Sequence, residues 1–446
     1  MGYDIVQSAW MLGIAANGAS SIKVPSTITD GQHFLEENLS LYLKGDPTRP
    51  PAPFSGFLSE FNTQVENGPW EIAWGPHVYL APNCSEATNA MFVAKYTDTS
   101  VTPNASTYVV AIAATNPGSF YDWINEDAQV EATLTVQWPL PENYVYSPKV
   151  HVAYDADTPF ISAGTALGIS NLLNNVKPTD GPDIQAFLTQ SVNPNDTLIF
   201  AGHSLAGALT PTLAFYLYPN GTSGSGWKQV LVLPTAGASP GNGAPGLIEK
   251  HPTAFSQLFT AKFPQVPTGL TPYTSWNTDY ANQADVVPHA WNQLGAFIPT
   301  LQHGLLLNPW GVLTVEMAAS ITGLLKTAQG IALLGFYNNL PQITFPAPCQ
   351  KYDWTLDETS GLYLYPPTAA AAPAFTQDTP LSTKADLGSA VLINHVDAYY
   401  FYFGVLPPVR MPPGGLVPIP LMQDGSTPEP TPTRKDLVRQ AAQLSP

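Results

Sequence analysis

Residues 195–218 constrain this chain more than any other stretch. They read Asn-Asp-Thr-Leu-Ile-Phe-Ala-Gly-His-Ser-Leu-Ala-Gly-Ala-Leu-Thr-Pro-Thr-Leu-Ala-Phe-Tyr-Leu-Tyr. Residues 197–201 are an apolar run of strand length, a sharp turn follows, and the remainder has the pattern of a helix whose first turn carries small residues. The turn, Gly202-His203-Ser204-Leu205-Ala206, is a G-x-S-x-G elbow with alanine in the last place. Such an elbow forces the serine backbone into a strained conformation and lifts its hydroxyl clear of the sheet edge. Small residues at Gly202 and Ala206 let strand and helix pass almost in contact. A helix starting behind Ser204 aims its first N–H groups, beginning with that of Leu205, at any oxyanion formed on the serine. The pentapeptide alone is weakly specific, and the same serine could simply cap a helix after a buried strand. A strand before it and a helix after it are the context a nucleophile needs, which favours Ser204 as a nucleophile.

Composition narrows what such a site can serve. The chain has 446 residues, enough for one large domain or two ordinary ones with a substantial core. Acidic residues outnumber basic ones 33 to 16, giving a formal net charge of −17. That balance argues against nucleic acid as a partner and against an electrostatic grip on anionic membranes. With 46 prolines and 34 glycines, many turns and long ordered loops are expected rather than a helical bundle. The two cysteines, Cys84 and Cys349, have no metal or redox spacing, and either a disulfide or two thiols is compatible with them. No run of 18 apolar residues occurs, so no transmembrane segment is expected. The start lacks the basic region and cleavage site of a signal peptide.

In chain order, Ile5–Ala16 is a weakly amphipathic segment suited to the back of a sheet, and residues 33–44 read as a surface helix. Residues 70–80 have aromatic and β-branched character and predict an edge strand or an aromatic layer. Residues 91–96 and 107–113 predict two adjacent strands. Residues 130–138 alternate, as in a hairpin strand, and 183–191 predict a helix just before the elbow strand. After the elbow helix, residues 228–234 predict a buried strand. Strand, elbow, helix and strand in that order make a right-handed parallel crossover.

Several segments resemble the class 3 lipase family. The strand ending in Ala113-Ala-Thr115 and running on to Asp122-Trp123-Ile124 resembles that family's strand ending in R-G-[ST] followed by D-W-[IL]. Ala113-Ala114 stand where the family has Arg-Gly. Lys149-Val-His151 resembles its K-V-H segment, with His151 read as a packing histidine. Residues 235–242, Thr-Ala-Gly-Ala-Ser-Pro-Gly-Asn, are similar to its loop after the next strand, without the arginine. Asp285-Val-Val-Pro288 is similar to its N-x-x-D-x-V-P segment, with Asp279 as a rival lacking the Val-Pro continuation. His395-Val-Asp-Ala-Tyr399 resembles its late H-x-x-x-Y segment. The order Ser204, Asp285, His395 is also the one α/β hydrolases use.

The resemblance implies an α/β-hydrolase-like, mixed and mostly parallel sheet with helices on both faces, an apolar helical insertion and extended loops. It implies a catalytic domain over residues 1–404, with 1–90 as an N-terminal extension without counterpart, 291–345 as a possible cap insertion, and 405–446 as a Pro-rich tail. It carries the triad roles onto Ser204 as nucleophile, Asp285 as acid and His395 as base, and an oxyanion-hole donor onto Thr115 beside the Leu205 N–H. The implied activity is hydrolysis of carboxylic esters of lipid-like substrates through an acyl-enzyme, with a lipid–water interface as one place of action and no metal or organic cofactor. A non-catalytic lipid-binding relative, or an acyltransferase or amidase on the same triad, is the alternative. The family also favours a secreted protein. The apolar region 291–337 reads either as core helices or as a cap over the cleft.

Overall fold

The computed structural model describes residues 2–20, 22–48, 54–82, 84–113, 135–147, 158–243, 254–289, 337–346 and 392–408, position 389, and short strand segments at 312–313, 350–351, 355–357, 362–364, 372–373 and 380–381. The expectations for Thr115, His151, the Pro-rich tail beyond 408 and nearly all of region 291–337 therefore lie outside the described residues. Of the two cysteines, Cys84 is exposed and Cys349 lies outside the described residues.

Seven strands form the main sheet: β1 (Glu71–Tyr79), β2 (Asn89–Asp98), β3 (Ala105–Ile112), β4 (Thr197–His203), β5 (Gln229–Thr235), β6 (Asp279–Asn282) and β7 (Gln342–Phe345). Their order across the sheet is their order in the chain. β1, β2 and β3 pair antiparallel, whereas β3–β4, β4–β5, β5–β6 and β6–β7 are all parallel. The sheet is thus mixed and mostly parallel, an α/β-hydrolase-like arrangement. Strands β4 and β5, and the second half of β3, are nearly continuous apolar runs with both faces buried, as strands covered by helices on each side must be.

One face carries α3 (Ala163–Asn174), α4 (Ile184–Ser191), α5 (Leu205–Leu217) and α6 (Phe255–Lys262). There Val110, Ile112, Leu198 and Phe200 meet Ile169, Leu188, Leu209, Leu213, Phe255 and Phe259. Side-chain caps set where α3 and α4 begin: Ser162 Oγ accepts from Thr165 N at 3.0 Å, and Asp183 Oδ1 accepts from Ala186 N at 2.8 Å. The opposite face carries α1 (Ile5–Ala16), which starts at a capping box of Asp4 and Gln7. Helix α1 packs on the centre of the sheet, with a Cβ built on Gly13 only 3.3 Å from the Ala201 backbone. Helix α2 (Gly31–Lys44) covers β1 and buries Phe34, Leu35, Leu39, Tyr42 and Leu43. Residues 135–137 pair antiparallel with Phe160–Ser162, the hairpin partner that the alternation upstream of Trp138 calls for.

The last described helix, α7 (Ala398–Phe403), follows a π-helical turn, Ile393–Asp397, that bears His395. Wide turns of this kind recur at functional sites because they re-aim a single side chain.

Candidate active site

β4 ends at His203 and α5 begins at Leu205, so the whole reversal is made at Ser204. Its φ is 64° and its ψ −129°, a conformation that costs a non-glycine residue roughly 1–3 kcal/mol. The close passage of strand and helix shows in its neighbours. A Cβ on Gly202 would sit 2.4 Å from Thr210 Oγ1 and 2.8 Å from Ala206 Cβ. One on Gly207 would meet the Gly237 Cα and the Thr235 carbonyl at 2.7 Å each. Ser204 stands at the N-cap of α5, yet its side chain makes no capping bond. The helix is anchored through the backbone instead, with Gly207 N donating to Ser204 O at 2.8 Å.

The Ser204 hydroxyl lies 2.7 Å from His395 Nε2, and His395 Nδ1 lies 2.8 Å from Asp285 Oδ2. Asp285 accepts only, so Nδ1 carries the hydrogen and Nε2 is left to accept from the serine. The Asp285 carboxylate is fully buried and has two further donors. Val287 N donates to Oδ1 at 3.0 Å and Tyr399 OH donates to Oδ2 at 2.9 Å. The Tyr399 hydroxyl itself accepts from Asn282 N at 3.0 Å, which turns its hydrogen towards the carboxylate. Burial, followed by the charges of Asp285 and Asp279, pushes that phenol well above its usual range, so it stays a donor.

Asp279, the rival acid, is placed elsewhere. It accepts from Gly237 N at 3.1 Å and from Gln342 Nε2 at 2.8 Å, and no hydrogen bond joins it to His395. Burial raises its carboxyl to about 7. Leu205 is the first residue of α5, where backbone N–H groups have no partner within the helix. The other proposed oxyanion donor, Thr115, follows β3 in a segment outside the described residues.

Three residues that sequence reasoning left without a role stand behind His395. His203 is buried, with Nε2 2.7 Å from the His395 carbonyl oxygen and Nδ1 3.0 Å from Thr235 Oγ1. Trp10 Nε1 donates to that same Thr235 hydroxyl at 3.2 Å. One signal was available beforehand: the crossover pairs β4 with β5, and 203 and 235 end those strands. Nothing in the sequence ties residue 10 to them.

The arrangement can transfer a proton from a hydroxyl to an imidazole, hold the resulting imidazolium against a buried carboxylate, and present helix N–H groups beside the reacting oxygen. No protein-family model matches the chain, and no curated protein sequence matches it. In fold, it is similar to a crystal structure of M37 lipase, with a TM-score of 0.55 over 90% of this chain and 94% of that one, at 19% sequence identity. The chain therefore has the α/β-hydrolase-like fold found in a lipase.

Proposed function

We propose that this protein is a serine hydrolase that cleaves carboxylic ester bonds of lipid-like substrates through an acyl-enzyme. The observation that carries the proposal is the unbroken hydrogen-bonded series Ser204–His395–Asp285 at a strained elbow. Ser204 Oγ attacks the ester carbonyl carbon while its proton passes to His395 Nε2. Asp285 keeps the ring in the tautomer that can accept this proton and stabilises the imidazolium. The Leu205 N–H, with Thr115 as second donor, stabilises the oxyanion, each donor contributing about 3 kcal/mol to lowering the barrier. His395 then protonates the departing alkoxide. Water enters and gives a proton to Nε2 as it attacks the acyl carbon; the acyl carbon–Oγ bond then breaks, Nε2 returns the proton to Ser204 Oγ, and the acid leaves.

The preference for lipid-like esters is supported by the fold shared with a lipase and by the apolar sequence of residues 291–337. An acyltransferase or amidase would use the same first half-reaction and differ in the leaving group or acceptor. Hydrolysis of p-nitrophenyl esters of graded chain length tests the reading. Ester turnover is expected, falling at least about 10³-fold in Ser204→Ala, while the melting temperature stays nearly unchanged. Equal turnover by the wild type and Ser204→Ala would remove the serine from the mechanism.

A further inference from the structure

We propose that the N-terminal helix α1 sets the position of the general base, through a directed relay from Trp10 to Thr235 to His203 that ends on the backbone carbonyl of His395. This rests on the reading of His395 as the base. On this account Trp10, Thr235 and His203 are positioning residues, none of which touches substrate.

The direction of the relay comes from what each atom can do. The His395 carbonyl only accepts, so His203 Nε2, 2.7 Å away, must carry a hydrogen. A neutral ring then has a bare Nδ1, and the Thr235 hydroxyl at 3.0 Å donates to it. That leaves the lone pairs of Thr235 Oγ1 to accept, and the indole N–H of Trp10, which can only donate, supplies the bond at 3.2 Å. The alternative acceptor for the Thr235 hydroxyl, the Gly202 carbonyl, is farther away at 3.4 Å. Each bond of the series then has one donor and one acceptor, with the Thr235 hydroxyl accepting from Trp10 and donating to His203. Burial, and next the neighbouring His395, hold the His203 ring well below its ordinary pKa, so it stays neutral.

The element being positioned has little stiffness of its own. His395 sits on a five-residue π-helical turn followed by a six-residue helix. Its ring must nevertheless meet two partners at 2.7 and 2.8 Å. Two adjacent carbonyls of the turn are held from the sheet: Asn394 O by Asn282 Nδ2 at 3.0 Å, and His395 O by His203. Helix α1 grips the residues beyond the turn. Trp10 stacks on Phe403 at 4.8 Å and meets Tyr400 edge-on at 4.9 Å, and Gln7 Nε2 donates to Phe403 O at 2.7 Å. Tyr3 OH accepts from Leu406 N at 2.9 Å. The N-terminal segment, which matches none of the family motifs, thus acts on the residue that sequence places last in the triad. The competing account is that His203 merely satisfies buried atoms.

The full-length protein, labelled with 15N-histidine, separates the two. The readouts are the low-field proton resonance of the His395 Nδ1–H···Asp285 bond and the rate at which a fluorophosphonate labels the protein. His203→Leu, which removes the donor, is expected to broaden or abolish the resonance and to slow labelling roughly 10- to 100-fold. His203→Gln places an amide N–H near the same carbonyl and should restore the resonance and most of the rate. Thr235→Val and Trp10→Phe should each give smaller losses, and their combination should be no worse than Thr235→Val alone, because both cut one relay. A resonance and rate preserved in His203→Leu would overturn the proposal. So would equal loss in His203→Leu and His203→Gln, or losses that simply add. Should His203→Leu fail to fold, Trp10→Phe and Thr235→Val decide alone, and an unchanged resonance in both overturns it. Resonance changes in the expected pattern on a protein that never reacts with the probe would sink the hydrolase reading and leave the relay standing.

Discussion

At the scale of single residues, the surroundings of Asp285 and Asp279 separate two buried carboxyls that the sequence presents six positions apart. Asp285 collects three donors, an imidazole, a phenol and a backbone N–H. Tyr399→Phe removes one of them and strands the Asn282 N–H. It should lower kcat/KM by about tenfold and stability by about 1–3 kcal/mol, read from ester kinetics and a urea titration. Asp279 has two donors but is raised by burial from 3.8 to about 7. Its folded value therefore lies above its unfolded one, so between about pH 4 and 7 the native state keeps a proton that the unfolded chain releases. Stability from this group is present at low pH, is lost as pH rises through that window, and levels off above it. Asp279→Asn mimics the protonated form and should flatten this part of the stability–pH curve, with a gain over the wild type above pH 7. A loss of stability at all pH values would show that the ionised form is the one the fold prefers. The choice of Asp285 over Asp279 was legible from the Val-Pro continuation. The phenol donor was not, because Tyr399 lies 114 positions from Asp285 and meets it only through the fold.

At the scale of elements, contact between backbones governs the elbow. Gly207 of α5 and Gly237 after β5 approach so closely that each would place a Cβ within 2.7–2.8 Å of the other's backbone. Gly207→Val should cost about 3 kcal/mol or more, seen as a lower urea midpoint with an unchanged slope. Pro211 lies inside α5 and cannot donate to the Gly207 carbonyl, so that carbonyl, which faces Gly237, is released from the helix ladder. The strands were readable because strands buried on both faces advertise themselves as unbroken apolar runs. Residues 197–201, 228–234 and 107–113 do so, and the structure extends or trims each by only one or two positions at most ends. The helix expected after the Lys149-Val-His151 segment could be given no bounds from the sequence, because Ala163-Gly-Thr-Ala-Leu-Gly-Ile in α3 is small and weakly patterned, and burial rather than periodicity holds it. The turn at His395 escaped prediction, since a π-helical turn has no sequence signature of its own.

At the scale of the whole molecule, described residues nearly 400 positions apart meet beside the sheet. Helix α1 and helix α7 meet through Trp10, Phe403 and Tyr400, so a segment expected to be an N-terminal extension lies beside the helix that follows His395. Sequence patterns could place neighbours along the chain, whereas this contact spans nearly its full length. The net charge of −17 bears on where such a molecule works. Adsorption to anionic vesicles should be weak at low salt and strengthen as salt screens the repulsion, while adsorption to neutral emulsions should vary little. Co-sedimentation across a salt series checks this, and strong low-salt binding to anionic vesicles would contradict it. Among the described residues no helix is long and apolar enough to cross a membrane. The proposed mechanism requires Ser204 to be a nucleophile activated by His395. Intact-mass and peptide-mapping analysis after fluorophosphonate treatment tests it most directly. One adduct per chain is expected, mapped to Ser204, lost in Ser204→Ala and strongly slowed in His395→Ala. An adduct on another residue, or one that persists in Ser204→Ala, would contradict it.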